Sequence, residues 1–95
     1  LLFFFSKGAD GTIPQQLGQL TNNLVSLNLQ DNKLEGEIPS SFQDLVSLES
    51  LRLYNNELTG EVTAELCLLK YSHKLSYLAV DCQSELECEC CDKCY

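Results

Sequence analysis

The sequence predicts an α/β solenoid of stacked repeats, closed by a cysteine-rich C-terminal cap. Two observations carry the prediction. A pattern of leucine, asparagine and glycine recurs with a period of 24 residues, and periods of about 20–50 residues mark solenoid architectures. All six cysteines fall between Cys67 and Cys94, at the end of that pattern.

The repeat is visible when two stretches are aligned. Residues 24–47 read LVSLNLQDNKLEGEIPSSFQDLVS and residues 48–71 read LESLRLYNNELTGEVTAELCLLKY. Leu24, Leu27, Leu29, Asn32, Leu34, Gly36 and Ile38 recur as Leu48, Leu51, Leu53, Asn56, Leu58, Gly60 and Val62. Phe42 and Leu45 recur as Leu66 and Leu69. The frame extends both ways. GTIPQQLGQL at 11–20 aligns with GEIPSSFQDL at 36–45. Further back, Leu2 and Phe4 take inward strand positions, Lys7 stands for the asparagine and Ala9 for a leucine. Downstream, LSYLAVDCQ at 75–83 supplies one more strand segment, with Leu75, Leu78 and Val80 inward.

The combined pattern, LxxLxLxxNxLxGxIPxxLxxLxx, closely resembles the plant-type leucine-rich repeat from Leu2 to about Gln83. That resemblance implies a right-handed solenoid with short parallel strands on its concave face and an irregular or 3-10 convex side. The residues themselves fit this shape. Leu27/Leu29 and Leu51/Leu53 alternate, so they point to one side of a strand and leave Ser26, Asn28 and Gln30 on the other. Asn32 and Asn56 suit the bend after each strand, where an amide satisfies backbone groups that an apolar side chain would not. Gly36 and Gly60 relieve crowding where the chain turns, and Pro14 and Pro39 stiffen the outer segment. Stacking supplies the core, so the leucines, Phe42 and Leu66 are packing residues. The expected organisation is repeats over 1–74, the first degenerate and cut open, and a last strand plus cap over 75–95. With no methionine anywhere, the chain reads as a piece of something longer, whose further repeats would cover the edge formed by Leu1, Leu2 and Phe3.

Composition narrows the function. Fourteen acids against six bases give a net charge of −8 and a pI near 4.3. The bases are scattered, so no basic face neutralises phosphates and nucleic acid is a poor partner. LLFFF is far shorter than the ~20 apolar residues of a membrane span and shorter than a signal-peptide core. The only histidine, His73, sits in the polar insertion KYSHK without a nucleophile pattern around it. Glu35, Glu37, Glu57 and Glu61 decorate solvent-facing repeat positions and form no buried pair suited to acid–base work. The expectation is a non-enzymatic chain that needs no cofactor and holds no metal.

Binding would use the outward strand positions, which form a rigid, contiguous surface. These are Ser26, Asn28 and Gln30, then Ser50, Arg52 and Tyr54, then Ser76, Tyr77, Ala79 and Asp81, with Asp31 and Asn55 at the rim. Arg52 and Tyr54 stand out because Arg and Tyr are enriched among interface anchors. Phe3 and Phe5 fall in the same columns of the first repeat, either as a hydrophobic contact area or because the frame has slipped there.

Cys67, Cys82, Cys88, Cys90, Cys91 and Cys94 admit three readings. Cys91-x-x-Cys94 matches the start of a structural zinc site, yet no second such element separate from it exists and His73 is remote in sequence. A redox motif requires C-x-x-C at a helix start, and this one lies at the chain end. Disulfides fit best: an open solenoid end has to be sealed, and a short tail buries too little apolar area to do so alone. Adjacent Cys90 and Cys91 are unsuited to pair with one another. Cys67 and Cys82 are expected to reach into the terminal cluster or to bond each other. The tail also resembles caps of secreted or surface leucine-rich-repeat proteins of single-celled algae.

These readings converge on a non-catalytic binding module of an extracellular or cell-surface protein. Its ligand would be a protein, a peptide or a cell-wall polysaccharide. The alternatives are a purely structural C-terminal cap and a metal-binding cysteine-rich tail.

Overall fold

The computed structural model describes the backbone of residues 2–5, 8–20, 23–82 and 86–95, with side chains for 8–20, 23–82 and 87–95. Its strands are β1 (Leu2–Phe5), β2 (Asp10–Thr12), β3 (Leu24–Asn28), β4 (Lys33–Gly36), β5 (Ser50–Arg52), β6 (Glu57–Leu58), β7 (Gly60–Glu61), β8 (Tyr77–Val80), β9 (Leu86–Glu87) and β10 (Lys93–Cys94). Two 3-10 segments cover Gln15–Gln19 and Ser40–Asp44, and one helix, α1, covers Ala64–Ser72.

Leucine spacing sets the main sheet. Its order is β1-β3-β5-β8-β10, all parallel, with Leu27 beside Leu51 and Leu51 beside Leu78. From β3 to β8 each coil therefore repeats the previous one in register, and the three extra residues before β8 are absorbed outside the sheet. Leu24, Leu27, Leu48, Leu51, Leu53 and Leu78 are fully buried on the inner side of these strands. Fully burying each such side chain is worth about 1.5–3 kcal/mol. In the first repeat the register shifts between Leu2 and Phe3, and Phe4 then pairs beside Leu27. The 25-residue alignment places Phe4 with Leu29, so the frame has slipped by two residues. An even slip keeps strand parity, and Phe3 and Phe5 remain in the rows of Ser26 and Asn28. The expectation about the Leu1, Leu2 and Phe3 edge concerns side chains outside the described residues.

Asparagines close the bends. Asn56 accepts the Leu34 N–H (3.0 Å) and donates to the carbonyls of Leu29, Leu53 and Tyr54. Asn32 does the same one coil earlier, accepting the Ala9 N–H (2.8 Å) and donating to Leu29 and Gln30. Just before each of them, Asp31 (φ 62°) and Asn55 (φ 59°) adopt the left-handed conformation that short polar side chains tolerate. The Asn55 amide donates to the Asp31 carboxylate (2.7 Å), linking the two bends. After each bend a second parallel sheet forms, in the order β2-β4-β6.

On the convex side the first two coils run as 3-10 turns, each entered through a proline. They touch closely, since a Cβ on Gly18 would overlap Ser41. The last coil departs from the irregular or 3-10 expectation and forms the nine-residue helix α1. Thr63 replaces the proline there and caps the helix, its hydroxyl accepting the Leu66 N–H (3.2 Å). The following AELCLLKYS run is rich in helix formers, and the longer coil gives it room to complete two turns. Leu66, Cys67 and Leu69 form its buried face.

The cap closes the far end. β9 pairs with β7, and β10 pairs with β8 as an additional edge strand of the main sheet. Disulfides join Cys67 to Cys90, Cys82 to Cys94 and Cys88 to Cys91, with Cα–Cα distances of 5.9, 5.1 and 5.8 Å. All six cysteines are paired. Cys67 and Cys82 thus both reach into the terminal cluster, and Cys90 and Cys91 avoid one another. Asp92 adds a polar tie: its carboxylate accepts the Leu78 N–H (2.8 Å) and an ion pair from Lys70 of α1.

Candidate functional site

The concave face is where sheet register places side chains in rows. Ser26, Ser50 and Tyr77 form one row; Asn28, Arg52, Ala79 and Lys93 form the next. Gln30, Tyr54 and Asp81 lie just beyond the strand ends. The leucines between them are buried, so parity directs these polar positions outward.

The rows are joined by side-chain contacts. The Asn28 amide donates to the Ser26 hydroxyl (3.0 Å), while the Arg52 guanidinium donates to Asn28 Oδ1 (3.1 Å) and the Ser50 hydroxyl (2.6 Å). Arg52 also lies over the Tyr77 ring, 4.9 Å from its centroid. Four of the expected site residues are therefore held in one network, with Tyr77 against it. Asp81 is engaged differently: its carboxylate accepts the Asn56 N–H (2.9 Å) and fixes the bend. Among the described residues, the Gln30 side-chain oxygen is the buried polar side-chain atom without a hydrogen-bond partner.

Two residues that sequence reasoning did not place here come from the cap. Tyr95 stacks on Tyr54, with ring centroids 3.9 Å apart and planes 13° from parallel. Lys93 sits over the Tyr95 ring at 5.6 Å. Tyr54, Tyr77, Tyr95, Arg52 and Lys93 thus converge around Ala79, which is fully buried despite its outward position. The only available signal was the aromatic terminus itself, and its destination depends on β10 joining the sheet. A hydrogen bond to Tyr95, followed by desolvation, raises the Tyr77 phenol above its ordinary value; Arg52 and Lys93 oppose that rise.

Elsewhere, His73 is exposed at the C-terminal end of α1, and Glu35, Glu37, Glu57 and Glu61 are exposed along the coils. Among the described residues no group of three or more His, Cys, Asp or Glu side chains is placed to hold a metal ion. No helix is long and apolar enough to cross a membrane, again among the described residues.

The model of the leucine-rich repeat family matches residues 23–45 and 47–69, the two coils that carry the central strands β3 and β5. The chain carries leucine-rich repeats. Such repeats make it a protein-interaction module, of a family that typically binds without catalysing, and its disulfides fit an extracellular setting. A search of curated proteins finds no match to this leucine-rich-repeat chain.

Proposed function

We propose that this chain is a non-catalytic binding module of an extracellular or cell-surface protein, gripping a protein, peptide or cell-wall polysaccharide on its concave face. The observation that supports this reading most is the register of the main sheet, which aligns Ser26 with Ser50 and Tyr77, and Asn28 with Arg52. Fixed hydroxyl, amide and guanidinium groups beside tyrosine rings offer a ligand hydrogen bonds without an ordering cost.

A structural reading also has a specific observation in its favour. Tyr54 is occupied by Tyr95 of the cap and Arg52 by Asn28, Ser50 and Tyr77 of the main sheet, so both expected anchors already have structural partners. The metal-binding reading has less support, because all six sulfurs are consumed in disulfides.

Screening the intact chain on peptide and oligosaccharide arrays, then repeating with Asn28→Ala and Gln30→Ala, separates these readings. Loss of the captured ligand with an unchanged melting temperature supports concave binding. Retained affinity in both variants moves recognition off this face and leaves the cap role.

A further inference from the structure

The convex side carries a second surface that the concave reading does not use. Ala64, Leu68 and Tyr71 are spaced i, i+4 and i+7 along α1, which puts them on one stripe. Leu68 is 51% exposed and Tyr71 71% exposed. They border a hollow of about 400 Å³ between α1 and the cap, rimmed by Glu61, Glu87 and Glu89. The β7–β9 ladder sets Glu61 directly beside Glu87, about 5 Å apart at the backbone. Like charges so placed repel unless a cation joins them. Among the described residues the ion pair present is Lys70–Asp92, which involves none of these three glutamates.

We infer that this hollow docks a cationic, aliphatic-bearing segment of a partner protein, with Lys or Arg side chains interleaved with apolar ones. Charge complementarity selects that occupant. The ammonium or guanidinium groups face Glu61, Glu87 and Glu89, and their alkyl stems lie along Leu68 and Tyr71. The Tyr71 ring offers its face to one of the cations. The net charge of −8 steers the same partner toward the surface from a distance. A similar glutamate pair, Glu35 beside Glu57, occurs on the second sheet, but among the described residues no exposed large apolar side chain accompanies it. That pair supplies a charge-matched control.

Fluorescence polarisation of the full chain with a labelled (Lys-Leu)4 peptide, against (Glu-Leu)4, tests the inference. The expected result is at least about tenfold preference for the lysine peptide, weakened by salt. Glu61→Gln with Glu87→Gln, and separately Leu68→Ser with Tyr71→Ser, each lower that affinity about tenfold. Glu35→Gln with Glu57→Gln changes it less than twofold. Equal losses in the control variant would reduce the effect to diffuse charge attraction and overturn the site. Unchanged affinity in the Leu68/Tyr71 variant also overturns it. So does concentration-dependent dimerisation that this variant abolishes, because a second copy would then be the occupant.

Discussion

Tyr54 and Tyr95 lie face to face, 3.9 Å between centroids, so the last residue of the chain rests on the concave surface of the second central repeat. The cap therefore does two things. It seals the open coil through β9, β10 and three disulfides, and it extends the concave sheet with Lys93 and Tyr95. Tyr95→Ala is expected to cost about 1 kcal/mol, the usual worth of an aromatic pair. In a domain this size that is a fall of about 4–8 °C in melting temperature. An unchanged melting curve would mean that the stack contributes nothing to closure. The same contact explains why Tyr54 is a poor probe of binding alone: its removal also loosens the cap.

Asp92 makes closure sensitive to acid. Burial pushes its pKa up, but the Lys70 ammonium and the Leu78 N–H outweigh burial and leave it below the ordinary value of 3.8. A depressed carboxylate contributes stability above its unfolded pKa, and the contribution is lost as pH falls through the folded value. Wild type should exceed Asp92→Asn in urea resistance at about pH 6, with the gap shrinking steadily below about pH 4. A gap that stays constant down to pH ~2 would assign the difference to packing instead of charge.

Asn56 ties its bend to three strands' worth of backbone, accepting from Leu34 and donating to Leu29, Leu53 and Tyr54. Asn56→Leu fills the space and strands those backbone groups. Each unsatisfied buried group costs about 1–3 kcal/mol, so a loss of at least about 2 kcal/mol is expected in chemical denaturation. Asn32→Leu, which strands the Ala9 N–H and the Leu29 and Gln30 carbonyls, is expected to cost at least about 1 kcal/mol as well. Negligible losses would show that water replaces the amide.

Much of this architecture was legible from spacing. The alternation Leu27/Leu29 and Leu51/Leu53 defines inward and outward positions, and the asparagines mark the bends, because both follow from local backbone geometry. The helix over Ala64–Ser72 was less so: the signal was Thr63 in place of proline, followed by good helix formers. The cap strands lay beyond pattern reading. β9 and β10 are two residues each and carry no periodicity; disulfides and edge pairing place them. Lys93 and Tyr95 reach the concave face only through that pairing. Ala79 had outward parity and is buried by tertiary neighbours that no local rule brings together.

The most direct test of a lid that completes both core and concave sheet is the disulfide map of the non-reduced chain. Cleavage after acidic residues separates Cys88, the Cys90–Cys91 pair and Cys94, because Glu89 and Asp92 lie between them. The predicted result is one fragment set joining Cys67, Cys88 and the Cys90–Cys91 peptide, and a separate one joining Cys82 to Cys94. Free thiols, or a Cys67–Cys82 link that leaves the tail untethered, would contradict it.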